Sequence, residues 1–159
     1  MRTCVFPGSF DPITEGHLDI IRRAASLFDQ VIIGVVVNEE KRSAFTLEKR
    51  LEMVKKCTAD MPNVACRMFD GLITDFMRQC GSRIVLRSMR SETDYAYEAQ
   101  LFGVYRHLDE DIEMVFMISR PQYAHISSSV VRQIAAFRGE VRGLVPDVIY
   151  DDVVANFHK

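Results

Sequence analysis

An α/β fold with a mostly parallel sheet is predicted by two features of the sequence. Short β-branched runs alternate with segments of helical period, and each helical segment carries an apolar stripe able to cover a sheet. The runs place strands at Thr3 to Phe6, Val31 to Val37, Val64 to Met68, Ile84 to Arg87 and Met114 to Ile118. Helices fall between them near Glu15 to Leu27, Leu47 to Ala59, Leu72 to Cys80 and Asp94 to Leu108. Thr46 is a candidate N-cap with Glu48 in the turn behind it, and Ser127, Ser128 and Ser129 offer hydroxyls for the start of "SSVVRQIAAF". In the fourth helix Tyr97, Leu101, Val104 and Leu108 step by four, three and four, which predicts the face turned to the sheet. Pro146 at the first position of "PDVIYDDVVANF" predicts a last helix.

The expected architecture is a single Rossmann-like domain over residues 1–159, with a five-stranded parallel sheet and helices on both faces. Apolar residues make up 48% of the chain and charged ones 26%, with 20 basic side chains against 22 acidic. That balance argues against disorder and against a nucleic-acid surface, so any phosphate recognition has to be local. The longest apolar run, Val31 to Val37, is too short to span a membrane, and Pro7-Gly8 breaks the first strand before a signal peptide forms, so a cytoplasmic location is expected. Cys4, Cys57, Cys66 and Cys80 form no CxxC pair and read as reduced, mostly buried thiols.

In open α/β sheets, ligands collect beyond the carboxyl ends of the strands, where the strand order reverses. The stretch "VFPGSFDPITEGHLDII" lies at such an end. With Thr14 as cap, Glu15, Gly16 and His17 occupy the first turn of a helix, whose free N–H groups and dipole make an anion site toward which His17 projects a ring N–H. The stretch fits neither GxGxxG nor the P-loop pattern, and a turn set only by proline and glycine is the plainer account of it.

Each further candidate also lies just past a predicted strand. "NEEKR" offers Lys41 as a point charge for a phosphate, or is simply a solvated loop. "DGLITDF" places Leu72 and Ile73 where they line an apolar wall, or form the core face of a helix. "RSMR" puts Arg87 and Arg90 close together, suited to a polyphosphate or to pairing with Glu92 or Asp94. In "YAHISSS" capping explains one serine of three. His107 near a helix C-terminus and His158 at the chain end have ordinary explanations, and His125 borders the serines without a clear role.

"PGSFDPITEGH" resembles the nucleotidylyltransferase signature, with Thr14 to His17 supplying its T-x-G-H half. Together with "FTLEKR", "RSMR" and "ISSSVVRQI", in that order, the chain resembles the phosphopantetheine adenylyltransferases, which are homohexameric. The resemblance implies adenylyl transfer from ATP to 4′-phosphopantetheine, giving dephospho-coenzyme A and pyrophosphate, with Mg²⁺ as the partner of ATP. It implies that His17 stabilises the α-phosphate in flight while Ser9 and Lys41 orient the attacking phosphate. ATP would lie against Ser9, Phe10, His17, Ser88, Met89, Arg90, Glu98, Tyr123, Ala124, His125, Ile126, Ser127, Ser128 and Ser129. The acceptor would meet Ser9, Lys41, Leu72, Ile73 and Arg87, and coenzyme A is a possible feedback ligand.

This chain departs from the family at several places. Ser88 stands where glycine is usual, which would be strained if the position needs φ > 0. Ser9 replaces threonine, Tyr105 stands where asparagine is common, and Glu39 and Glu40 put negative charge beside Lys41. The competing readings are a nucleotidylyltransferase acting on nicotinamide mononucleotide or a cytidylyl acceptor, and a nucleotide-binding module without catalysis.

Overall fold

The alternation of runs and helical segments becomes a five-stranded sheet with the order β3-β2-β1-β4-β5 in a computed structural model that describes residues 1–37 and 43–158. The strands are β1 (Thr3–Gly8), β2 (Gln30–Val36), β3 (Val64–Phe69), β4 (Ile84–Met89) and β5 (Glu113–Ile118), all paired in parallel. The helices are α1 (Glu15–Leu27), α2 (Leu47–Cys57), α3 (Ile73–Cys80), α4 (Glu92–Leu108), α5 (Ser128–Ala136) and α6 (Tyr150–Phe157). The fold is therefore the expected Rossmann-like α/β arrangement.

Side-chain alternation along the strands divides the core between the two faces of the sheet. Cys4, Phe6, Val31, Ile33 and Val35 point to the side covered by α1, α2, α5 and α6, where they meet Leu18, Ile21, Met53, Val54, Val131 and Val153. Val5, Ile32 and Val85 point to the other side, against Ile73, Phe76 and Met77 of α3. Both faces are apolar, so a parallel sheet is buried on both sides. Burial pushes the Cys4 and Cys57 thiols up to about 12, as inert core residues require.

Two expectations need correction. Three of the four residues of the α4 stripe are not on the buried face: Tyr97 is 63% exposed, Val104 51% and Leu108 41%, while Leu101 is half-buried and the single fully buried residue of the helix is Glu98. The helix is turned so that Glu98, with Leu101, Phe102 and Tyr105, faces the sheet. In this orientation Glu98 reaches Arg87 of β4 and forms an ion pair with it. At the C-terminus Pro146 precedes a 3₁₀ turn, Asp147–Ile149, rather than opening α6 itself.

The site is opened by unequal ladders. β1 pairs with β2 at six positions from Thr3–Gln30 to Gly8–Val35, but with β4 at only two, Cys4–Ile84 and Val5–Val85. Beyond Val5 the paired register with β4 ends, at the point where the chain order reverses from β2 on one side of β1 to β4 on the other. That is the crevice in which the topology places a ligand.

Candidate active site

The β1–α1 loop is held by its own chemistry. Thr14, extended at φ −119° and ψ 169°, caps α1 by accepting the His17 N–H on Oγ1 at 3.3 Å. In return the Thr14 N–H donates to His17 Nδ1 at 3.1 Å, a capping box in which histidine takes the place usual for Glu or Gln. Because Nδ1 accepts, the ring proton belongs on Nε2, the nitrogen on the far side of the ring from the cap. Phe10 backs the imidazole edge-on, with ring centroids 5.0 Å apart. A Cβ added at Gly16 would stand 3.6 to 3.8 Å from Thr14 and Tyr123, so packing within the protein does not demand glycine there.

His17 opens onto a cleft of about 210 Å³, lined also by Thr14, Gly16, Arg87, Ser88, Arg90, Asp94, Glu98, Ser119, Tyr123, Ile126, Ser127 and Ser128. Burial, followed by the positive fields of Arg90 and Arg87, lowers the His17 pKa to about 4. In the free protein the imidazole is therefore a neutral Nε2–H donor. Between about pH 6.5 and 4 the unfolded chain holds a proton that the folded one does not, so stability from this group falls with acidification across that window. An NMR titration should find the His17 ring neutral at pH 5.5; a midpoint near 6.5 would show that it is solvated.

The arginines are partly committed. Arg87 donates from Nε and Nη2 to both Glu98 oxygens, at 2.8 and 2.6 Å, and from Nη1 to the Pro7 carbonyl at 3.3 Å, across the gap where the β1–β4 ladder stops. Arg90 donates from Nη1 to the Ile126 carbonyl at 3.2 Å, and Asp94 accepts its backbone N–H at 2.9 Å. At α5, Ser127 caps the helix by accepting the Val130 N–H, and Ser128 donates its hydroxyl to the Pro12 carbonyl at 2.7 Å. The α5 start and the β1–α1 loop are thereby fastened together. A second space of about 290 Å³ is lined by apolar residues including Phe69, Leu72, Ile73, Val104, Tyr105 and Leu108, and Arg87 borders both. A polar cleft meeting an apolar groove at one arginine suits a phosphate on an apolar arm.

The chain was compared with known proteins. The cytidylyltransferase-like family model matches residues 5–134. The phosphopantetheine adenylyltransferase of Clostridium beijerinckii is 46% identical over 158 residues, covering 99% of each chain. Those of Clostridium tetani and Clostridium novyi are 44% and 42% identical, over 96% and 100% of this chain. The chain belongs to the phosphopantetheine adenylyltransferases. It is accordingly an enzyme, a nucleotidyltransferase.

Within this adenylyltransferase, the cleft unites His17, Arg87, Ser88, Arg90, Glu98, Tyr123, Ile126, Ser127 and Ser128 from the residues singled out in the sequence. The others lie elsewhere. Ser9 is exposed on the loop, and Phe10, at φ 46°, is 1% exposed with its ring in the core behind His17. Met89 joins a surface patch with Tyr95 and Ile118. Ala124 and His125 are exposed beyond the 3₁₀ turn Pro121–Tyr123, and the Ser129 hydroxyl accepts from Arg132 outside the cleft. Leu72 and Ile73 line the groove. Lys41, with Glu39 and Glu40, lies outside the described residues.

Ser88 sits in β4 opposite Met117 and does not have positive φ, so the feared strain of a serine there is absent. Ser119 and Asp94 were missed as cleft residues. Ser119 directly follows β5, and the strand-end rule that found the others would have found it. Among the described residues no group of three or more His, Cys, Asp or Glu forms a metal site, and no helix is long and apolar enough to cross a membrane.

Proposed function

We propose that this enzyme transfers the adenylyl group of ATP to 4′-phosphopantetheine by in-line attack, giving dephospho-coenzyme A and pyrophosphate without a covalent intermediate. The reading rests above all on one observation: a cleft holding His17, Arg90 and the α5 start and a separate apolar groove share Arg87 in their walls.

The attacking phosphate monoester carries about −1.5 to −2 charge at neutral pH, so the reaction needs no general base. It needs two polyanions held in line and stabilisation of charge growing on the α-phosphate and the leaving pyrophosphate. His17 Nε2–H donates to the α-phosphate oxygen as negative charge develops there. Arg90 and the N–H groups at the α5 start hold the triphosphate. Ser9 and Lys41 orient the acceptor phosphate, and Arg87 meets it through Nη1, the nitrogen not taken by Glu98. Glu98 acts by holding Arg87, because both its oxygens already accept from that guanidinium.

Among the described residues, Asp94 and Glu98 are the carboxylates that line the cleft, and both are engaged, by Arg90 and Arg87, which disfavours either as a metal ligand. Mg²⁺ would come bound to the ATP phosphates and water and would neutralise part of the triphosphate charge. Residues 1–159 work as one catalytic domain in the cytoplasm. Tyr97 on α4, with Val115 and Ile118 on the edge strand β5, are exposed apolar residues outside the groove that support self-assembly, as a homohexamer. Coenzyme A, which contains both halves of the product, competes for the same space as a feedback ligand.

Pyrophosphate release from ATP tests the reading when measured with 4′-phosphopantetheine, with nicotinamide mononucleotide and with neither. Release with the first alone is expected. Release with the mononucleotide, or ATP binding without release, contradicts the proposal.

A further inference from the structure

Arg50 of α2 is 3% exposed and borders neither the cleft nor the groove, yet its hydrogen bonds end on the site. Its Nη1 donates to two backbone carbonyls, Ser9 at 2.6 Å and Val36 at 3.1 Å. The last paired position between β1 and β2 is Gly8 opposite Val35. Ser9, just past β1, and Val36, the last residue of β2, come next along each chain segment, so one guanidinium nitrogen continues the link after the ladder has ended.

Asp11 makes a second tie to the same piece of chain. It is 4% exposed, and its Oδ1 and Oδ2 accept the N–H groups of Phe45 and Ala44, both at 2.9 Å. Between the two ties lies Phe10, held at φ 46°, a backbone turn that a bulky residue adopts only when its surroundings impose it. Arg50 fixes the carbonyl before this turn and Asp11 fixes the chain after it.

Packing alone would not select these residues. Burying a guanidinium costs more than burying an apolar chain of the same volume, and here Nε has no hydrogen-bond partner among the described residues. What the pair provides is a defined backbone path at Ser9.

We infer that Arg50 and Asp11 are positioning residues for the acceptor side of the reaction, setting where Ser9 meets the incoming phosphate without touching either substrate. This rests on the function proposed above. On this account Arg50→Lys, which keeps a charge and a donor but loses the planar fork, raises the KM for 4′-phosphopantetheine about 10-fold and lowers kcat by a similar factor. The Kd for ATP, measured by calorimetry, moves less than about 3-fold, because His17, Arg90 and the serines at the α5 start are untouched and Ser9 acts on the acceptor side. Arg50→Met is worse in the same direction, so that lysine rescues in part. Loss of folded protein would lower apparent kcat without moving KM. Wild-type acceptor KM and kcat in folded Arg50→Lys and Arg50→Met would overturn the inference, as would equal losses for acceptor and ATP.

Hydrogen exchange gives a readout that does not depend on the reaction. In Arg50→Lys, amide protection should fall at Ser9, Phe10 and Asp11 and at Ala44 and Phe45, whose N–H groups Asp11 accepts, while the β1 and α2 cores keep theirs. Unchanged protection at these five amides would refute the positioning role. Absence of turnover in the wild-type enzyme would instead refute the acceptor assignment, leaving exchange to judge Arg50.

Discussion

Replacing His17 by alanine is expected to lower kcat by at least about 100-fold while changing ATP affinity far less. The imidazole is held by its capping contact to Thr14 and backed by Phe10, so its free nitrogen keeps a fixed direction. A fixed, largely desolvated donor gains most when the oxygen it faces acquires charge, which happens in the transition state and not in bound ATP. The cap itself contributes about 1 kcal/mol, so the variant should remain folded with a modestly lower melting temperature. Steady-state kinetics with calorimetric ATP binding checks this, and near-normal turnover in a folded variant would remove His17 from the chemistry.

Glu98→Ala should destabilise the protein by about 3 kcal/mol, because it leaves Arg87 three-quarters buried, with 23% of its side chain exposed, and without its counter-charge. In a chain of this length that corresponds to a fall of about 6 to 12 °C in Tm. The double variant Arg87→Met with Glu98→Ala should recover part of the loss, since it removes the stranded charge along with its partner. Chemical denaturation of the two single variants and the double variant measures the coupling. A Glu98→Ala variant within about 0.5 kcal/mol of wild type would show that the pair is effectively solvated.

How much of this was legible depended on whether the signal was local. The bounds of α1 could be read because Thr14 caps it with chemistry visible in four consecutive residues. The strand ends pointed to the cleft because topology alone places ligands there. Periodicity misled at α4, where Tyr97, Val104 and Leu108 keep helical spacing yet face solvent in the single chain; a pattern of apolar residues does not say what covers them. The ion pair that this orientation permits joins residues on different elements, Arg87 and Glu98, and local periodicity does not report it. Arg50 and Asp11 were hidden for the same reason. Each lies inside a quoted motif, but their function is to bond backbone atoms contributed by distant segments. The resemblance puts Phe10 against ATP, and what local pattern does not report is that its ring is buried behind His17 while its backbone sits at φ 46°.

The central claim is that these residues bring two polyanions into line, so that the adenylyl group passes directly from one to the other. Transfer from a single diastereomer of adenosine 5′-(α-thio)triphosphate reports this in the configuration at phosphorus of the dephospho-coenzyme A analogue formed. One in-line displacement gives inversion, the predicted result; retention would mean two displacements through an adenylylated protein group and would contradict the account.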